Sequence, residues 1–378
     1  MFWYRRWKKV IDTTDRYKHR WYKGGLTNIA YNCLDRHVEA GDGDNVCFYE
    51  DSAYTGTQRA WSYREVMEQS GRLATVLIEE YGIGIGDRVI IYMPMIIESA
   101  FAMLACARIG AIHSVVFGGF SAKELANRID DCSPKLVILS SSGIEPGKVI
   151  KYVPIVEEAL RLCVKLPNAT KLPRLIKQRR EIFDKGDLSD ANIDPRLYKD
   201  YDEYVRKVSN VADCVPVPSE SPLYILYTSG TTGDPKGIVR DTGGTTVALN
   251  FCMRSVFNVN KGSVHFAGSD IGWVVGHSFI VYGPLLRGSA CVFFEGKPIV
   301  PNPGVIWDRV QKYRVTSLYM APTGVRVIKK EDYDGDWVKK YDLSSLDGYL
   351  LVGERCDPDT ILWIHKHLPH VKINDTWW

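Results

Sequence analysis

The segment Tyr227-Thr-Ser-Gly-Thr-Thr-Gly-Asp-Pro-Lys-Gly237 gathers the residues best suited to handling a polyanion. Gly230, Gly233 and Gly237 let a backbone turn tightly and present its N–H groups to an anion at close range. Thr228, Ser229, Thr231 and Thr232 supply hydroxyl donors for phosphate oxygens. Lys236 adds a point charge that can follow a pyrophosphate as it leaves. The order is not that of a Walker A loop, GxxxxGK[ST], because Gly237 follows the lysine where a hydroxyl belongs. A bare Gly/Ser/Thr loop is usually only a turn, but this one directly follows the apolar run Leu223-Tyr-Ile-Leu-Tyr227. Gly82-Ile-Gly-Ile-Gly86 precedes a strand instead of following one, so it fails the context of a dinucleotide loop and reads as a turn.

Elements must hold such a loop, and their pattern is α/β. Val89–Met93 is a short continuous apolar run between Gly86 and Pro94, which suits a strand buried on both faces. Ile97, Phe101, Leu104 and Ile109 recur near helical spacing and Gly110 closes the segment. Ser114–Phe117 and Lys135–Leu139 read as further strands, with Ser121 and Glu124 capping the helix between them. This alternation implies βαβ units and a parallel sheet. A second series follows: strand Leu223–Tyr227, helix Thr245–Phe257, strand Ala290–Phe294, a helix from Asn302 and Pro303 to Tyr313, then strands Thr316–Met320 and Gly348–Val352. Two α/β layers are expected, joined by a solvated excursion over the charged stretch Arg161–Asp213. Residues 1–40 are read as an N-terminal arm whose aromatics dock on the domain formed by 41–378.

Composition removes several classes of function. A chain of 378 residues, 45% hydrophobic and 25% charged, is long enough to bury a large core. Its net charge of +3 is too small to argue for a nucleic-acid partner. No apolar stretch reaches the roughly 20 residues that a spanning helix needs. The nine cysteines are scattered, odd in number and never in a CxxC pair. That argues against a structural zinc site or a disulfide framework, and for a reducing compartment, cytoplasm or mitochondrial matrix.

The Thr228–Gly237 string resembles the signature of the acyl-adenylate-forming superfamily. Ser269-Asp-Ile-Gly-Trp-Val-Val-Gly-His-Ser278 with Tyr282-Gly-Pro-Leu285 is similar to the substrate-pocket motif of its short-chain acyl-CoA synthetases. Asp375-Thr-Trp-Trp378 and Val352-Gly-Glu-Arg-Cys356 look like their adenine-site segments. Phe117-Gly-Gly-Phe120 and Leu34-Asp-Arg-His-Val38 are similar as well. Val274-Val275 and Glu354-Arg355-Cys356 resemble the propionyl-CoA more than the acetate-specific branch.

The resemblance implies a large N-terminal α/β domain and a two-step reaction. A carboxylate attacks ATP-Mg to give acyl-AMP, and the thiol of CoA then takes the acyl group. Thr228, Ser229, Gly230, Thr231, Thr232, Gly233, Lys236 and Gly237 would cradle the phosphates, with Lys236 in the catalytic role. Gly353, Glu354, Arg355, Asp375, Thr376 and Trp377 would border the adenine. Trp273, Val274, Val275 and Trp378 would form a short acyl pocket, and Phe117, Gly118 and Gly119 would lie near CoA. His277 is expected to position groups, since a carboxylate nucleophile is already ionised. No protein metal ligand is assigned. The family's magnesium-holding glutamate, ribose motif and adenylating lysine are expected beyond Trp378. This polypeptide alone is therefore expected to lack synthetase turnover, the alternative being a non-catalytic product that binds nucleotide or subunits.

Overall fold

The computed structural model describes residues 1–185, 193–228 and 235–377, and the chain forms two units, 1–43 with 64–247 and 44–63 with 248–378. The Ser229–Asp234 stretch and Trp378 lie outside the described residues, and so do the loop assignments to Ser229, Gly230, Thr231, Thr232 and Gly233.

The first unit is built on a seven-stranded sheet in the order Tyr198–Asp200, Arg174–Lys177, Leu136–Ser140, Arg88–Tyr92, Ile112–Val115, Pro222–Thr228, Lys236–Asp241. Every neighbouring pair is parallel except the last, an antiparallel hairpin. The apolar runs are explained by burial on both faces. Ile90, Tyr92, Val137 and Leu139 pack against Leu125, Ile129, Val156 and Leu160 of helices Ala122–Cys132 and Tyr152–Leu162. The alternate residues Val89, Ile91, Leu136 and Ile138 are fully buried too. Gly110 ends helix Ile97–Arg108 at φ +73°, a conformation open to glycine. Ser121 caps the next helix by accepting from the Glu124 N–H at 3.4 Å. Within the 1–40 segment the start of the chain packs on its later residues: the Phe2 N–H donates to Asn32 Oδ1 at 2.7 Å and the Phe2 ring lies 4.6 Å from that of Tyr31.

The second unit carries another seven-stranded sheet, in the order Lys372–Asp375, Gly348–Leu351, Ser317–Met320, Val264–Gly268, Ala290–Glu295, Val46–Ser52, Gln58–Ser62. Only the last pair is antiparallel. Phe266, Val292, Leu318, Tyr349 and Leu351 pack against Trp307, Val310, Val325, Ile328, Trp363 and Ile364. On the opposite face Tyr319 meets Phe257 and Phe279 edge-on, at 4.9 and 5.2 Å.

Four expectations are corrected. Strand Pro222–Thr228 closes the first sheet and does not open the second, because it lies parallel beside Ile112–Val115 with Tyr224 opposite His113. The Arg161–Asp213 stretch is no solvated excursion: Leu175 and Ile176 are buried in an inner strand of the first sheet and Tyr198–Asp200 forms its edge. Its charge is absorbed locally, since the buried Arg174 guanidinium donates to the Thr170 carbonyl at 2.9 Å and pairs with Glu157 at 3.0 Å. The helix Thr242–Ser255 starts three residues earlier than its apolar pattern suggests. The helix ending at Tyr313 begins at Val305, with Asn302 Oδ1 accepting from the Gly304 N–H one turn ahead of it.

Candidate functional site

In the first unit the candidate loop spans the turn of the Pro222–Thr228/Lys236–Asp241 hairpin. Thr228 and Lys236 are directly opposed, so the register sets both exposed side chains at the mouth of the loop. Below them Tyr227 pairs with Gly237, and a Cβ at Gly237 would stand 3.0 Å from Ile225 and 3.1 Å from the Tyr227 ring. The Tyr227 hydroxyl donates to Asp131 at 2.6 Å, which ties the end of this strand to helix Ala122–Cys132.

The adjacent parallel strand, Ile112–Val115, runs at its carboxyl end into Phe117, Gly118 and Gly119. The Tyr92 hydroxyl shares its hydrogen between the carbonyls of Gly118 and Phe120, at 3.2 and 3.1 Å. A Cβ on Gly118 would lie 2.2 Å from the Tyr152 hydroxyl, and one on Gly119 2.5 Å from the Phe117 ring. Packing alone therefore requires Gly118, whatever ligand it serves, whereas Gly119 is exposed and meets only the half-buried Phe117 ring. Tyr152 was absent from the sequence reading; the tyrosine that opens the next helix was its only signal.

In the second unit the strand order reverses direction between Val264–Gly268 and Ser317–Met320. Chain connections leave to one side of that point as far as Ala290–Glu295 and to the other side thereafter. Ligands of open α/β sheets bind outside the carboxyl ends of strands near such a reversal. The candidate residues of this unit follow carboxyl ends there. Ser269–Ser278 follows one strand, Gly353–Arg355 follows Gly348–Leu351, and Thr376–Trp377 follows Lys372–Asp375. Leu351 is opposite Asp375 in the parallel register, so the last two segments emerge side by side.

These two segments surround one recess of about 450 Å³, lined by Gly353, Glu354, Arg355, Asp375, Thr376 and Trp377. Gly353 enters it at φ +96°. Glu354 accepts from the Thr323 N–H at 2.8 Å and from Arg326 at 2.7 Å, and also from the Thr323 hydroxyl. Those hydrogen bonds, Thr323 first and Arg326 next, hold its carboxyl below the ordinary glutamate range. Thr376 donates through Oγ1 to the Leu351 carbonyl at 2.7 Å and lies 3.2 Å from the Tyr319 hydroxyl. One Asp375 oxygen accepts from the Cys356 N–H at 3.2 Å. Arg355 is exposed and has no hydrogen-bond or ion-pair partner among the described residues. Trp377 is 99% exposed. Thr323, Arg326 and Tyr319, which brace this wall, went unread; the Ala321-Pro322 step, a proline opening a helix straight after a strand, is the signal that marks their turn.

Trp273, Val274 and Val275 lie outside the lining of that recess. Val275 is buried, Val274 half-buried and Trp273 partly exposed. The turn leading to them is held by Asp270, which accepts from the Gly272 N–H at 2.7 Å through its side chain and from the Trp273 N–H at 3.1 Å through its carbonyl. A Cβ on Gly276 would fall 2.2 Å from that carbonyl and 2.4 Å from the Ile271 Cα, so backbone approach dictates this glycine. His277 is fully buried, donates from Nδ1 to the Trp273 carbonyl at 3.0 Å, and is pushed down to about 4 by burial. A neutral, pinned imidazole fits a positioning part. Among the described residues no three His, Cys, Asp or Glu side chains converge as they would to hold a metal. Among those residues, too, no helix is long and apolar enough to cross a membrane.

A family model described as AMP-binding enzyme matches residues 35–378, and one described as acetyl-coenzyme A synthetase N-terminus matches residues 1–33. Acyl-CoA synthetase short-chain family member 3, mitochondrial, of Bos taurus is 46% identical over 377 residues, 100% of this chain and 53% of its own length. The corresponding figures for acyl-CoA synthetase short-chain family member B, mitochondrial, of Dictyostelium discoideum are 41% over 378 residues, 100% and 54%. For acetyl-coenzyme A synthetase of Wolinella succinogenes they are 39% over 382 residues, 100% and 56%. The chain thus spans about half the length of the curated relatives it matches. A family match over nearly all of the chain, joined to segments that meet at the carboxyl edge of a reversing α/β sheet, leaves one assignment: the chain belongs to the AMP-binding enzyme family.

Proposed function

We propose that this chain serves the ATP-dependent activation of a short-chain carboxylate to acyl-AMP and then acyl-CoA, with propionate the preferred acid and acetate next. The observation that carries the reading is the recess at the carboxyl ends of two adjacent strands, where all six residues expected to border adenine are gathered. In this reading Thr228, Lys236 and the loop between them hold the β- and γ-phosphates, and Lys236 stays with the pyrophosphate as it departs. The recess orients the base, and Glu354, already saturated by Thr323 and Arg326, keeps its wall rigid. Magnesium would enter with the nucleotide and neutralise phosphate charge. Phe117, Gly118 and Gly119 are assigned to the approach of CoA. Most of the first half-reaction is then positioning and charge stabilisation.

Trp273, Val274, Val275 and Trp378 are proposed as the acyl pocket. One more buried methylene is worth about 0.8 kcal/mol, so propionate would be favoured over acetate only about fourfold, while longer acids are excluded sterically. The names of two of the three relatives place those proteins in mitochondria, which favours the matrix over the cytoplasm for this one.

The test is carboxylate-dependent ATP–pyrophosphate exchange by the full-length protein, followed by acyl-CoA formation with propionate, acetate and butyrate. Exchange with propionate and acetate supports the reading. ATP binding without exchange for any acid would replace it with a non-catalytic nucleotide-binding role.

A further inference from the structure

The first 23 residues contain eight Lys or Arg against two Asp, whereas the whole chain has 48 against 45, so this segment carries +6 and the remainder −3. It forms an antiparallel hairpin, Lys9–Asp12 with Arg20–Lys23. The register sets Lys9 opposite Lys23 and Ile11 opposite Trp21, and the period of two puts both pairs on one face. Like charges directly opposed weaken a ladder, and Asp12, which pairs with both lysines, offsets that repulsion, so the cations left for a partner are the others. Both acids are already used: Asp12 pairs with Lys23 and, at 3.7 Å, with Lys9, and Asp15 accepts from the Tyr17 and Lys18 N–H groups at the tip. Lys8, Arg16, Lys18 and Arg20 have no carboxylate partner among the described residues.

The same hairpin exposes apolar side chains. Val10 is 49% exposed, Ile11 37%, Trp21 43% and Tyr17 91%. Single exposed apolar residues are ordinary, but these are concentrated among unneutralised cations, and two are aliphatic. Aliphatic side chains gain nothing from stacking on bases; beside Lys, Arg, Tyr and Trp they suit the boundary between anionic headgroups and acyl chains. We propose that this hairpin is a peripheral docking surface for an anionic phospholipid bilayer, which the Ile11–Trp21 face touches while the surrounding cations neutralise headgroups.

The experiment is co-sedimentation of the full-length protein with vesicles of phosphatidylcholine alone or with about 30% phosphatidylserine added, at low and high salt. Binding is expected only to the anionic vesicles and is expected to fall with salt. The triple variant R16Q/K18Q/R20Q should bind roughly 100-fold more weakly, at about fivefold per cation. The variant I11S/W21S, with every cation retained, should lose about tenfold, a drop that a purely electrostatic contact would not show. Unchanged thermal unfolding of both variants excludes loss of fold as the cause. Equal binding to neutral vesicles, no binding to either, or undiminished binding by the triple variant would overturn the proposal. Preferential capture of a single-stranded oligonucleotide over anionic vesicles would also overturn it, in favour of nucleic acid.

Discussion

Replacing Gly118 by alanine tests whether packing requires this glycine after strand Ile112–Val115. The added Cβ would stand 2.2 Å from the Tyr152 hydroxyl and 3.0 Å from its Cζ, where ordinary contact begins near 3.4 Å. Tyr152 cannot swing into solvent: it is buried, and its ring lies 4.7 Å from that of Tyr92. Gly143 closes on the same hydroxyl from another segment, with a Cβ position 2.5 Å away. Overpacking of this kind costs about 1–3 kcal/mol, offset by the roughly 0.4–1 kcal/mol that Gly→Ala contributes through the unfolded chain. G118A should therefore destabilise the first unit by up to about 2.6 kcal/mol. Y152F removes the offending oxygen and leaves the ring in place against Tyr92. The double variant should then be more stable than the two single losses predict, with a coupling of about 1 kcal/mol or more. Urea unfolding of all four proteins measures this. Strictly additive losses would refute the packing account. Should the double variant regain stability while its KM for CoA stays raised, Gly118 serves the ligand as well.

Two further outcomes are expected. The second unit buries two neutral histidines, with His265 pushed down to about 3 and His277 to about 4 by burial. Both are neutral in folded and unfolded states above pH 6.5, and below it only the unfolded chain takes up protons. Stability should thus fall as pH drops from about 6.5 toward 4, and H277Q should flatten part of that slope; resonances of His265 or His277 titrating near 6.5 in the folded protein would contradict this. Arg355 lines the recess without a partner, so R355A should leave the urea midpoint nearly unchanged while weakening ATP binding about tenfold by calorimetry. Unchanged ATP affinity would remove Arg355 from the site.

Much of the first unit was legible because its strands are buried on both faces, which leaves unbroken apolar runs such as Val89–Met93. Strand Val46–Ser52 was not, because Glu50 and Asp51 interrupt its apolar pattern. Asp51 is nonetheless fully buried, held by Arg309 at 2.8 Å and the Tyr313 hydroxyl at 2.6 Å, partners more than 250 residues away in sequence. The Leu223–Tyr227 strand was visible as an element, but chain order carries no information on which sheet an apolar strand joins. The site divides similarly. The assignment of Thr228 to Gly237 as a phosphate loop rests on contiguous donors in the sequence, and of that stretch the structure describes only Thr228 and Pro235 to Gly237. The recess could not be read that way, since Gly353–Arg355 and Asp375–Trp377 meet only through the Leu351–Asp375 register, and resemblance alone linked them beforehand. The bracing by Thr323, Arg326 and Tyr319 is announced only by the Ala321-Pro322 step, which marks a turn and not the contacts made there.

The Val46–Ser62 hairpin has a consequence for how the molecule is made. It leaves the ribosome early, yet the strand it pairs with comes much later: Ser52 and Glu295, joined side chain to side chain, are 243 positions apart. At about 5–20 residues per second the hairpin waits on the order of 12–50 s for its partner. During that time an edge bearing Phe48 and Trp61 is open to other nascent chains and to chaperones. The interleaved connectivity also means that a single scission near residue 247 cannot free an intact second sheet. A self-sufficient second unit would have to carry its early hairpin with it, grafted on by circular permutation or supplied as a separate peptide.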